Sequence, residues 1–383
     1  LRLSGEEEQS WGIDFERVIR RKSEFTYWNN YKRGFDFAKV SQAGTLTGLR
    51  DVDSGTRVRL KPFVRSAAAK PAANRAASIG IEDLKYRVTS DFVADFTANT
   101  DFAEADVDAQ VLNLTRFPVY FPETREFFVE GAGIFDYGPG GGAASEMKLF
   151  FSRRIGLSPD PERATIPIIA GGKLTGKTKG WTLGLLNVQT DAFSSTPKRN
   201  FTVMRLKKDV LARSNMGVIV TNRDSSAKGD PYNRGVGVDA NFFLLKHLSV
   251  QGYLATTYTP GKTADHWAGR WRAYWDSDFW FANAERQTIQ RNYNPEMGWL
   301  PRGDMVKNRF QFHLKPRPHL RGVRQVFFRS TVDYITNQAG DLETRNQDFI
   351  FETAFETGDR AQVRYSHLMD RIKRPFQIGR AHF

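Results

Sequence analysis

The chain has 383 residues, no cysteine, 13% aromatic residues, and a formal net charge of +13 from 56 Lys+Arg against 43 Asp+Glu. The missing cysteines exclude a disulfide framework, a thiolate nucleophile and a Cys-based zinc site, and no stretch is long and apolar enough for a helical membrane span. The length allows two ordinary domains or one large all-β barrel, whose membrane strands need only about 9–11 residues with every second side chain turned away from lipid.

Residues 10–20 place Trp11, Ile13 and Phe15 on one face and Gly12, Asp14 and Glu16 on the other, a period of two that predicts a strand. Residues 20–33 are charged and aromatic and read as a loop or interfacial girdle, with Tyr27, Trp28 and Tyr31 at headgroup level. A second strand is predicted over 35–49. Over 56–65, Val58, Leu60, Pro62 and Val64 oppose a basic row of Arg57, Arg59, Lys61 and Arg65, and 79–88 with 91–100 form a hairpin. Such a basic row lines the polar side of a sheet. Because the basic residues recur around the whole chain, nucleic acid is not an expected partner. Leu1 opens the sequence without a signal segment, so the chain reads as a processed or excised piece.

Residues 101–161 break the rhythm, concentrating carboxylates, arginines, aromatics and glycines, and they read as an insert folded inward among strands. Alternation resumes at 166–174 and 180–190, then 201–209 with 215–222, and 235–242 with 248–257. In 235–242, Val236, Val238, Ala240 and Phe242 oppose Gly235, Gly237, Asp239 and Asn241. Over 267–276, Trp267, Trp271 and Trp275 share a face; three tryptophans would overpack a soluble core and suit the girdle of a barrel exterior. Further strands are predicted at 278–290, 310–315, 323–335, 347–355 and 360–367, with a turn-rich connection over 291–304. The total is roughly sixteen to eighteen strands in antiparallel hairpins. A soluble propeller would show a blade repeat, and none is found.

The runs VSQAGTLTGL, NTDFAEADVDAQVLNLTRFPVYFPETREFFVEGAGIFDYG, LFFSRRIGL, GGKLTGKTKGWTLGLLNVQT, NFTVMRLKKDVLARSNMGVIVTNRD and NYNPEMGWLPRGD, spread from about Trp11 to Phe376, resemble a bacterial outer-membrane β-barrel family of unknown function. Its members usually follow a β-sandwich similar to carbohydrate-binding modules of family nine. The resemblance implies a large barrel and a sugar-related role, with the sandwich absent from this chain.

Two groups could carry chemistry. Asp101, Glu104, Asp106 and Asp108 gather oxygen ligands that suit a hard cation, although the central Gly of a calcium loop is missing and an acidic rim explains them as well. Glu123, Glu126 and Glu130, interleaved with Arg125, could supply a hydrolytic carboxylate pair, against a salt-bridge network with Arg116, Arg125, Arg153 and Arg154 that fixes a plug. The glycine run 138–145 lacks the Lys-Ser/Thr of a phosphate loop, and the histidines lack ligand spacing.

The expectation is therefore an all-β, antiparallel transmembrane outer-membrane barrel over 1–383, with 101–161 as a lumenal plug. Located in a bacterial outer membrane, it would pass or capture an anionic or sugar-like ligand through an Arg-rich lumen containing Arg57, Arg59, Lys61, Arg65, Arg116, Arg125, Arg153 and Arg154. No cofactor is expected, and the partners are outer-membrane lipid and an anionic or carbohydrate ligand. The alternatives are a membrane-embedded hydrolase and a sealed structural barrel.

Overall fold

The computed structural model describes residues 8–19, 24–29, 43–50, 57–68, 75–100, 112–113, 115, 117–138, 146–156, 166–193, 195–211, 213–371 and 379–380. The protein is all-β. Its first strands are β1 (Glu8–Ile13), β2 (Glu16–Ile19), β3 (Glu24–Tyr27), β4 (Gly44–Arg50), β5 (Val58–Ala68), β6 (Arg75–Arg87), β7 (Phe92–Thr100) and β8 (Leu112–Asn113). A one-turn helix, α1 (Glu126–Val129), lies in the insert. Then follow β9 (Ile168–Thr178), β10 (Trp181–Thr190), β11 (Arg199–Leu211), β12 (Ser214–Ser225), β13 (Tyr232–Phe243), β14 (Leu248–Tyr258), β15 (Trp267–Asp276), β16 (Trp280–Ile289), β17 (Met305–Leu314), β18 (Val323–Thr336), β19 (Leu342–Phe355), β20 (Arg360–Asp370) and β21 (Gly379–Arg380).

Fifteen of these strands form one antiparallel sheet in the order β20 back to β9, then β7, β6 and β5. Every neighbour in it is also a sequence neighbour except β7 and β9, which pair across the insert from Phe92↔Gly176 to Thr100↔Ile168. The remaining strands pair two by two. The expected single strand over 10–20 is two strands, because Asp14 stops it: its Oδ1 accepts from Phe15 N at 2.9 Å and Asn29 N at 3.0 Å. β1 then pairs with β4 and β2 with β3, so part of the expected 20–33 loop is itself a strand. Of the strand expected over 35–49, residues 35–42 lie outside the described residues, and β4 begins at Gly44.

The two faces of the sheet differ in character. One cross-strand row runs Trp181, Lys208, Met216, Ala240, Gly252, Trp271 and Arg286. With the row beside it, it forms an apolar surface on which Val218 is 43%, Val238 47%, Leu254 58% and Trp271 51% exposed. On the opposite face Arg205 is 0%, Arg223 1%, Asn233 2% and Glu285 3% exposed. Charges stay buried only when paired, and Arg205 binds Asp239 through two bonds of 2.6 and 2.8 Å while Arg270 reaches Glu285 at 2.8 Å.

The inner face also holds an apolar core, which the sheet does not make alone. Phe127, Phe128, Phe135, Tyr137, Leu149 and Ile155 of the insert join Leu186, Val203, Ile219, Ala255 and Ile289 of the strands in one cluster. Side chains of β5, β6, β9, β13, β14 and β15 all meet this short insert, so the sheet curves around it. The glycines of β13 make room: a Cβ on Gly237 would stand 2.7 Å from the Tyr137 ring, whose hydroxyl donates to Leu254 O at 2.8 Å.

Candidate functional site

Three clamps fix the insert. At the first, α1 carries Glu126 and its C-terminal neighbour Glu130 toward β5 and β6. Arg59 Nη2 lies 2.9 Å from Glu126 Oε1 and 3.2 Å from Asp83 Oδ2, and Lys61 Nζ lies 2.7 Å from Glu126 Oε2 and 3.0 Å from Glu82 Oε2. Lys85 bridges Glu130 and Asp83. The lysine hydrogen bond and the flanking Arg59 hold the Glu126 carboxyl below the usual range. On β9, Lys173 donates to the carbonyls of Phe127 and Glu130, both at 2.7 Å, and pairs with Asp95 at 3.2 Å.

The second clamp is Glu123 with Arg125. The guanidinium forks onto the carboxylate with two bonds of 2.7 Å, Ser152 Oγ donates to it at 2.7 Å, and the backbone N–H groups of Thr124 and Arg125 add two of 3.1 Å. Arg125 then closes onto the other arm of the insert, donating to Ile155 O at 2.7 Å and Ser152 O at 2.9 Å. Burial would raise the Glu123 pKa, but the hydrogen bonds and charge of Arg125 outweigh it and hold the carboxyl below its ordinary value.

The third clamp joins the insert to the connection between β16 and β17. Lys148 and Trp299 exchange backbone hydrogen bonds of 2.8 and 2.9 Å, Phe151 N donates to Met297 O at 2.7 Å, and Arg154 Nε donates to Gly298 O at 3.0 Å. Arg153 reaches back to Pro122 O at 2.9 Å.

The structure thus brings Arg59, Lys61, Glu126 and Glu130 together and places Glu123, Arg125, Arg153 and Arg154 in a neighbouring cluster. Arg57 sits exposed just before β5. Arg65 takes a register position opposite Ser78, with its side chain outside the described residues. Arg116, Asp101, Glu104, Asp106 and Asp108 lie outside the described residues altogether.

Each carboxylate of the Glu123, Glu126 and Glu130 set is bound to a cation, and the shifts of Glu123 and Glu126 run opposite to that of a general acid. Oxygens of Asp83, Glu126 and Glu130 fall within 4.8 Å of one another, a spacing that suits a metal. Arg59, Lys61 and Lys85 already occupy them, so the arrangement is an ion-pair lattice.

The sequence alone does not single out Asp83, Lys85, Asp95 and Lys173. Their signal was present in the inward parity of β6, β7 and β9. Nor does it expose a cavity of about 210 Å³ between the insert and β9–β10, walled by Tyr120, Phe128, Phe135, Phe150 and Phe151.

Among curated proteins, none matches the chain. Residues 54–230, which run from β5 through β12 and include the whole insert, match the model of a family described as a domain of unknown function (DUF5916).

Proposed function

We propose that the protein forms the wall of a bacterial outer-membrane β-barrel whose lumen holds residues 117–138 and 146–156 as a resident plug, and that it passes or captures a small anionic or sugar-like ligand. The inversion of the faces carries the reading. A sheet with Val218, Val238, Leu254 and Trp271 outward and Arg205, Arg223, Arg270 and Glu285 inward places its apolar side where lipid would lie.

Outward aromatics mark both ends of the strands, as a girdle requires. Trp275 and Trp280 stack at 5.5 Å toward the 277–279 turn, and Tyr258 and Trp267 flank the 259–266 loop at the opposite end of the strands. An outer groove of about 870 Å³ over Ala240, Gly252 and Gly269 lies on the same apolar face and suits acyl chains. No helix among the described residues is long and apolar enough to cross a membrane, so the crossing falls to strands.

The basic interior favours anions. Since interior cations such as Arg59, Lys61, Arg205 and Arg270 are already paired with carboxylates of the plug and the strands, ligand passage requires the plug to shift. The test is single-channel conductance of the refolded chain in planar bilayers beside the chain lacking 101–161. The proposal expects little conductance from the first and an open, anion-preferring channel from the second; failure of both to insert or conduct would contradict it.

A further inference from the structure

Asp136, exposed to solvent, lines the cavity of about 210 Å³, and among the described residues its carboxylate has neither a hydrogen bond nor an ion pair. Lys148, buried, places its ammonium 5.7 Å over the Tyr120 ring on the same wall. Tyr120 is fixed by stacking on Phe151 at 5.1 Å and by an edge contact with Trp299 at 5.2 Å.

We propose that this cavity is a binding site for one neutral hydroxylated ring, the size of a single monosaccharide. The volume equals about seven waters at roughly 30 Å³ each and lies below the range of about 300–1,000 Å³ that holds drug-sized ligands, a size that suits one ring. A cation would approach the ammonium groups of Lys148 and Lys173; an anion would lie against Asp136 and Glu123. A hydroxyl satisfies both signs, accepting from Lys148 and donating to Asp136. The aromatic walls cover the C–H faces that such a ring presents. The cavity gives a chemical class to the ligand reading above, and depends on it only for the position of the plug inside the sheet.

The test is calorimetric titration of the whole chain folded in detergent micelles, where bilayer insertion plays no part, with D-glucose, D-galactose and D-mannose as probes and choline and inorganic phosphate as charged controls. Folding is checked by the strand signature in circular dichroism. The proposal expects saturable binding of at least one hexose, weakened tenfold or more by Asp136→Asn and by Tyr120→Ala, and unchanged by the outward Trp271→Ala. Lys148→Met supplies an independent variant if one of these does not fold. Binding of choline or phosphate in place of the hexoses, hexose binding indifferent to Asp136→Asn, or no binding by the folded chain at about tenfold above a 1 mM dissociation constant would overturn it.

Discussion

Lys148 and Trp299, 151 positions apart in the chain, form a two-bond antiparallel bridge with N···O distances of 2.8 and 2.9 Å. It ties the plug to the loop between β16 and β17. That loop can approach so closely because Gly298 has no side chain. A Cβ there would stand 2.2 Å from Lys148 O and 2.9 Å from the Pro295 side chain. Gly298→Ala is expected to destabilise the protein by about 1–3 kcal/mol, as overpacking does, and to open the insert to trypsin at Arg153 and Arg154. Thermal unfolding with limited proteolysis reads both effects.

Arg125 holds Glu123 and two carbonyls at once, with side chains only 8% and 10% exposed. Its removal leaves a buried charge unpaired. Arg125→Ala is expected to cost about 3–5 kcal/mol. The folded pKa of Glu123 is depressed below its ordinary value of 4.5. Its contribution is therefore complete above that value and is lost as pH falls through the folded pKa. Denaturant midpoints across the acid range should fall in the native chain and fall less steeply in Arg125→Ala.

Glu126 is different, because its partners Arg59 and Lys61 are about half exposed. Solvent screens such pairs, and Glu126→Gln is expected to cost no more than about 1 kcal/mol. Its mark is local: amide exchange should quicken in β5 and β6 and leave β13 to β16 unchanged. A global loss of protection would show the lattice to be more than an anchor.

Period-two alternation made the sheet legible. β13 was readable down to which side chains face which way, because Val236, Val238 and Ala240 alternate with Gly235, Gly237 and Asp239. The alternation of β17 is legible only from Phe310, five residues into the strand, since Asn308 and Lys307 carry polar groups on both faces of its first half. The division of the first strand at Asp14 depended on Asn29, beyond any local window. The insert was recognisable as a break in rhythm, and its carboxylates as partners of basic residues. Which cations they meet was not, because Arg59 and Glu126 are 67 positions apart and only the curvature of the sheet joins them.

The outer face should be sensitive to charge only in lipid. Val238 is 47% exposed, so Val238→Arg would be nearly neutral on a solvated surface. In a bilayer the same change is expected to cost up to about 2–4 kcal/mol, depending on depth. Comparing urea midpoints of the variant and parent chains in lipid vesicles measures it.

The most direct measurement uses the tryptophans themselves. Trp271 stands outward at 51% exposure, and Trp299 is buried against the plug at 5%. Single-tryptophan chains, one keeping Trp271 and one keeping Trp299, are reconstituted in vesicles of brominated phospholipid. Strong quenching of Trp271 with little quenching of Trp299 is the predicted result. Unquenched Trp271 in a correctly folded chain would contradict the membrane-embedded sheet.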